Sequence, residues 1–483
     1  MSAADLRAAL ESWGVDPADL ADEHASLLAS GVLDSLALFN LSMWLEQQIG
    51  APIDPTSFEV AREWDSIAAI LRFIETQRAA PAEGLVLTPA AATEPPERPA
   101  PGEATTPHAS GDDAGPYRIE RYSEQHLPAI GELMTALWSP DALLNREVFR
   151  WKYVENPFDA EPLVYLALRD DRVVGMRAFC GSAWRAAGGA MRNLAVADDF
   201  VVAEDDRNHG LLARFTDAAT ADLGARGQHA FLSLSALRVT RLQLLASGSR
   251  SLGVLPTVAL RPAWLRALDA VASLAKKTPV LWRAADRLEA IEPASRAFER
   301  LDQFGKALPL DDGGHAEVGT APDPAEFAAF VARLTQDERL RHMRDERFFA
   351  WRYRNPLHDY RVISARDAAG RLRGYIVLQR GRSAFADQRR VNLVDWAGDS
   401  EAVWAGLIQA AVRGGRIAEL VTWRNGDAAT NRQIDALGFI PADAHQAERG
   451  LPCALVREFG EGVHHPLPEL GQWDLRMAYT SFA

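Results

Sequence analysis

The sequence predicts a multidomain chain: an all-α module at the N-terminus, followed by two α/β units with mixed, mostly antiparallel sheets. Three observations lead there. Residues 79–115, AAPAEGLVLTPAAATEPPERPAPGEATTPHASGDDAG, are rich in Ala, Pro, Glu, Thr and Gly and cannot bury enough apolar surface to offset their ordering entropy. Ahead of them, apolar residues recur at helical spacing, at Leu36, Phe39 and Met43 and again at Ile67, Ile70, Leu71 and Ile74. Beyond them, FRWKYVENPF (149–158) returns as FAWRYRNPL (349–357), each copy followed by two apolar runs around a polar turn. Trp151/Trp351, Lys152/Arg352, Tyr153/Tyr353, Asn156/Asn355 and Pro157/Pro356 stay in step, the aromatic residues reading as core at a helix-to-strand corner. The expected division is a helical module over 1–78, a flexible linker over 79–115, an α/β unit over 116–257, a helical connector over 258–317 and a second α/β unit over 318–483.

Bulk composition narrows the function classes. Apolar residues make up 48% of the 483, enough for ordinary cores. With 52 Lys and Arg against 66 Asp and Glu, the net charge of −14 gives no basic footprint, so nucleic acid is not an expected partner. Cys180 and Cys453 lie far apart, with no metal-ligand or redox spacing near either, and no metal is expected. The N-terminus lacks a basic segment ahead of an apolar one, and no run of about eighteen apolar residues follows. A cytoplasmic protein without an integral membrane segment is expected. The stretch AWLRALDAVASLAKKTPVLWRAADRLEAI reads as amphipathic helix. Lys276 and Lys277 beside its apolar face would suit a membrane surface, but a connector packed between two domains is the preferred reading.

In the first α/β unit an apolar strand through Leu194–Val202 runs into the polar turn AEDDRNHG. A helix with apolar positions Leu212, Phe215, Ala219 and Leu223 follows. A strand, a Gly-bearing turn and a helix N-terminus make an anion cradle, because unpaired backbone N–H groups and the helix dipole point at one place. Arg207 adds charge there, and Gly210 permits close backbone approach. With the next strand (HAFLSLSA, 229–236), a short helix and LLASGSRSLG, this order resembles the GNAT (Gcn5-related) N-acyltransferase family. Its Arg/Gln-x-x-Gly-x-Gly/Ala turn is matched by Arg207 and Gly210, with Leu212 at the last position. The resemblance implies that Arg207, Asn208, His209, Gly210, Leu211 and Leu212 hold the phosphates of acyl-CoA or acetyl-CoA, or a pantetheine arm.

It also implies a base for an amine nucleophile, with Asp198, Asp199 and Glu204 on or just after the central strand as candidates. An exposed acidic cluster favoured by the helix dipole is the alternative reading of the three. The family's general-acid tyrosine has no counterpart in TRLQLLASGSR, and His209 is a candidate substitute. The second copy closes on LVTWRNGDAATNRQIDALGF, as the family does, but its turn lacks Arg-x-x-Gly. It is expected to be a structural or acceptor-shaping half.

In the N-terminal module, GVLDSLALFN places Asp34-Ser35-Leu36 at a helix start. Thirteen acidic and four basic side chains over residues 1–78 make its surface strongly acidic. Ser35 alone reads equally as a helix cap, as does Ser66 in the similar triplet Asp65-Ser66-Ile67. Taken with its four-helix spacing, the module resembles an acyl or peptidyl carrier domain. The resemblance implies 4'-phosphopantetheine on Ser35, attached by a phosphopantetheinyl transferase and loaded by a second enzyme. A 37-residue linker spans about 35 Å as a coil, holding such an arm near the first α/β unit at roughly millimolar effective concentration.

The expected function is N-acyl transfer from a thioester, carrier-bound or CoA, to an amine in specialised metabolite or lipid biosynthesis. The alternatives are acylation of an acceptor held on the carrier and a non-catalytic docking scaffold for the carrier.

Overall fold

The structure, a computed structural model, describes residues 2–28, 30, 32–33, 35–79, 116–207, 209–235, 238–262, 293–334, 338–381, 389–442, 452–459 and 467–479. The expectations for Asp34 and Asn208, for most of the linker and for 263–292 of the connector fall outside these residues.

Helices α1 (Ala3–Ser12), α2 (Ser35–Ile49), α3 (Val60–Glu63) and α4 (Ile67–Ala79) make up the N-terminal module, with no strand among its described residues. Ser2 and Asp5 close a capping box on α1. Ser66 Oγ accepts the Ala69 N–H at 3.2 Å and so caps α4. Asp65 turns away instead, to accept the Ser26 hydroxyl at 2.7 Å and the Leu28 N–H at 3.0 Å. Leu6, Leu10, Leu41, Leu45, Trp64, Ile67 and Ile70 fill the core between the helices.

The first sheet comprises β1 (Tyr117–Arg121), β2 (Leu163–Arg169), β3 (Arg172–Arg185), β4 (Met191–Val202), β5 (Ala230–Ser235) and β6 (Arg250–Val254), with α5 (Leu127–Leu133), α6 (Ala142–Phe149), α7 (Leu211–Leu223) and α8 (Arg238–Ala246). Asp170 and Asp171, both at positive φ, form the two-residue turn between β2 and β3, the geometry that matches strand twist. Between β3 and β4 the register breaks: Arg177 faces Phe200 and Phe179 faces Ala197, so Asp198 and Asp199 share the place opposite Ala178 in a bulge. The parallel pairing of β4 with β5 covers only Leu194–Ala197, and β4 runs on to Val202 paired with β3 alone.

The rest of the chain carries β7 (Thr257–Leu260), α9 (Ala294–Phe304), β8 (Leu308–Pro309), β9 (His315–Gly319), α10 (Pro324–Arg333), β10 (Leu340–His342), α11 (Glu346–Arg352), β11 (His358–Arg366), β12 (Leu372–Gly381), β13 (Arg390–Gly398), α12 (Glu401–Gly415), β14 (Glu419–Trp423), α13 (Ala428–Ala436), β15 (Ile440–Pro441), β16 (Cys453–Glu458) and β17 (Trp473–Asp474); β10, β16 and β17 join the first sheet, and the other strands form the second. Its order is β15-β7-β14-β13-β12-β11-β9-β8, again with a bulge, at Val394 beside Asp395.

The expected boundaries are corrected here. β16 lies between β5 and β6 in the first sheet, while β7 lies between β14 and β15 in the second, so each unit lends the other a strand. The short β10 also leaves its unit, pairing with β3. The division at 257/258 therefore separates no bodies, and 258–317 is more than a helical connector, since it carries β7, α9, β8 and the start of β9. A short apolar strand satisfies its backbone in any sheet with an open edge, and its pattern does not say which.

The repeated Trp pair sits where the units meet. Trp151 and Trp351 stack at 5.5 Å, and each indole N–H donates to the other's carbonyl, at 3.0 and 2.6 Å, the self-complementary contact of a two-fold interface. The module is likewise not free-standing. α2 and α3 pack on α8, its apolar core runs into Leu242 and Leu245, and Arg238 forks onto Glu46 at 2.7 and 3.2 Å.

Candidate functional site

A cavity of about 930 Å³ opens where β4 outruns β5, with one wall from the first α/β unit and the other from the module. Phe200, Val202, Arg207, Gly210, Leu211 and Leu212 line the first wall; Ser30, Leu33, Leu38 and Asp65 line the second. Ser35 is the first residue of α2, between Leu33 and Leu38 in sequence, so the start of α2 stands at the cavity.

Gly210 takes the N-cap of α7 at φ 64° with no side-chain cap, which leaves the first N–H groups of a 13-residue helix open toward the cavity. A Cβ on Gly210 would meet nothing within 4 Å, so the left-handed backbone, not crowding, calls for glycine. Arg207 is exposed beside it, its Nε donating to Val202 O at 3.3 Å. The buried Asp206 pairs with Arg169 at 2.8 Å and ties the turn to the β2–β3 hairpin. His209 is exposed, its ring 5.6 Å from that of Tyr117.

Asp198 and Asp199, at the β4 bulge, are brought together around Lys152. Their side chains are 6% and 3% exposed, so the reading of an exposed acidic cluster fails for this pair. Lys152 Nζ lies 2.7 Å from Asp198 and 3.3 Å from Asp199. Asp199 also accepts the Tyr153 hydroxyl at 2.7 Å and the Trp138 indole N–H at 3.0 Å. Burial works against the Lys152 charge, yet the two carboxylates outweigh it and hold the ammonium above its ordinary value. Burial, reinforced by Asp198 and Asp199, pushes Tyr153 well above its ordinary range. Burial alone dominates at Cys180, pushed up to about 12, and at Arg177, lowered to about 10.

Glu204 is exposed on the turn Glu204–Asp206 and, among the described residues, joins neither this network nor the cavity wall. Sequence reasoning missed Lys152 and Tyr153 as polar partners by reading the corner as core. The repeat carried the signal, because Tyr353 likewise donates to Asp395, at 3.0 Å, beside the bulge of the second unit.

No family model matches the chain, and no curated protein is similar to it. Similar solved structures include an Enterococcus faecalis protein described as a probable N-acyltransferase, with TM-score 0.47, 10% identity and 71% of this chain on 72% of that one. Saccharomyces cerevisiae N-myristoyltransferase with bound myristoyl-CoA gives TM-score 0.44 and 10% identity, covering 88% and 94%. A tandem GNAT protein from the clavulanic acid biosynthesis pathway gives 0.41 and 14%, covering 71% and 99%. Among the described residues, no group of three or more His, Cys, Asp or Glu side chains could hold a metal, and no helix is long and apolar enough to cross a membrane.

Proposed function

We propose that the chain is a GNAT-type N-acyltransferase whose N-terminal module serves as its own acyl carrier, presenting a thioester from Ser35 to the first α/β unit. One observation carries this reading: a single cavity is walled by Leu33 and Leu38, on either side of Ser35 in sequence, and by Arg207, Gly210, Leu211 and Leu212. The apolar walls at Leu33, Leu38, Leu137 and Phe200 suit a pantetheine chain, and the open N-terminus of α7 suits an anionic group. The 4'-phosphopantetheine arm supplies the activated acyl group when attached. The chain's own residues do the rest.

The Arg238–Glu46 fork seats the module with the start of α2 at the cavity. The β4 bulge releases backbone groups from the ladder beside the cleft, where an N–H can polarise the thioester carbonyl. Asp198, buried against Lys152 at the bulge, is the base assigned to the incoming ammonium; as the amine nitrogen bonds the thioester carbon the carbon–sulfur bond breaks, and the proton passes to the thiolate of the arm. Asp199, held by Tyr153 and Trp138, keeps Lys152 charged against Asp198 and is a positioning residue. Glu204 takes no part. A phosphopantetheinyl transferase, a loading enzyme and an amine acceptor are the partners this scheme needs.

A second reading rests on Gly210. An uncapped helix N-terminus with Arg207 alongside suits the pyrophosphate of acyl-CoA better than the neutral amides of a pantetheine arm. The carrier would then hold the acceptor. The Ser35→Ala chain separates the two. It is expected to lose the arm in intact-protein mass spectrometry and to lose all turnover of carrier-loaded donor. Undiminished turnover of a free amine with acyl-CoA by that chain would favour the second reading, and an unmodified Ser35 in the parent chain would overturn both.

A further inference from the structure

The second unit has a cavity of its own, about 710 Å³, where β13 outruns β14 just as β4 outruns β5. It is the topological counterpart of the first cavity, but Asp399-Ser400 replaces the glycine turn. Arg339, Arg341, Arg344 and Arg476 line it, brought together from the start of β10, the loop after it and the segment after β17.

Carboxylates hold the cluster together from behind. Asp395 and Asp474, both buried, are shared: Arg476 reaches Asp395 at 3.0 Å and Asp474 at 3.1 Å, Arg344 reaches Asp395 at 3.2 Å, and Arg341 stands 3.7 Å from Asp474. Of the carboxylates in the wall, Asp345 is tied outward to Arg347 at 2.9 Å and Asp399 to Arg373 at 3.0 Å. Asp427 caps α13 and lies 3.6 Å from Arg339, and Glu401 opens α12. Arg185 adds a fifth arginine at the wall. Although burial opposes its charge, Asp474 is held far below the usual carboxylate range by Arg476, Arg344, Arg339 and Arg341. The opposite side of the cavity is apolar, formed by Trp396, Trp404 and the Ala328–Leu334 side of α10.

We infer that this cavity binds a small amphiphilic acid, its carboxylate or phosphate head on the arginine cluster and its apolar body against Trp396, Trp404 and α10. Guanidinium forks match either head group, and a cavity of this volume encloses a small molecule. The duplicated unit has thus kept a cavity and changed its ligand. This inference is independent of the carrier reading.

Isothermal titration calorimetry of the full chain with octanoate, octyl phosphate and 1-octanol tests it, the first two arms distinguishing the head groups. At least one acid is expected to bind about ten-fold more tightly than the alcohol. The double change Arg339→Ser/Arg341→Ser should weaken it about ten-fold or more. Ala332→Glu, on an exposed position of the α10 wall where folding is not at risk, should do the same by like charge. Equal binding of octanol, or acid binding that survives both the arginine changes and Ala332→Glu, overturns the assignment.

Discussion

Lys152, Asp198 and Asp199 show what burial does to charge. Each is stable only with its partners, so removing one strands another in a medium of low polarity. Asp199→Ala should cost about 3–5 kcal/mol in denaturant unfolding, whereas Glu204→Ala, at an exposed turn, should change stability little. Two other buried groups set opposite pH dependences. Burial pushes Asp159 up to about 7, although the Gly181 N–H, Arg226 and Gln228 pull it down. The unfolded chain releases that proton from about pH 4 upward, so this group's stability contribution is lost as pH rises toward 7, on the order of 4 kcal/mol in all. Burial lowers His342 to about 3 from 6.5, so the unfolded state alone gains a proton as pH falls through that window, and stability falls with it. Between about pH 4 and 6.5 the two slopes oppose each other. Asp159→Asn should therefore raise the unfolding free energy at pH 8, leave it unchanged near pH 4 and uncover the His342 slope between. A flat difference between the two chains across that range would disprove the assignment.

Among the elements, strands, hairpins and the helix after the Gly210 turn follow from periodicity and turn chemistry, and they were legible. Asp170-Asp171 marked the β2–β3 turn, and Gly210 marked the start of α7. The bulge was not legible, because it is a mismatch between two strands and neither alone carries its trace. For the same reason an exposed cluster stood as the alternative to the base reading of Asp198 and Asp199: their cation, Lys152, sits on another element. Gly210→Ala should cost about 1–2 kcal/mol for the left-handed backbone, seen as a lowered thermal midpoint. Because a Cβ there meets only open space, the loss should come without cavity collapse.

For the whole molecule, the linker composition and the repeated FRWKYVENPF pattern announced a module and a duplication, but not how the pieces share a core. Partner choice among short strands is decided by which sheet edge is open, a property of the fold and not of the segment. Glu46 and Arg238 could not be paired in advance either, since each is an ordinary helix-surface charge until α2 meets α8. Their bridge is partly exposed, so Arg238→Glu should loosen the module by like-charge repulsion. If the module is the proposed carrier, slower transfer, partly relieved by the reciprocal change Glu46→Arg, is the expected kinetic signature.

The strand exchange also orders events in time. β5 and β6 leave the ribosome early, yet the strand that belongs between them, β16, emerges only near the end of synthesis. Until then the first sheet carries two unsatisfied edges, the state most open to pairing with another chain. Both clefts are thus completed only late, and a chain stopped short of residue 453 should accumulate as aggregate instead of as a folded first half.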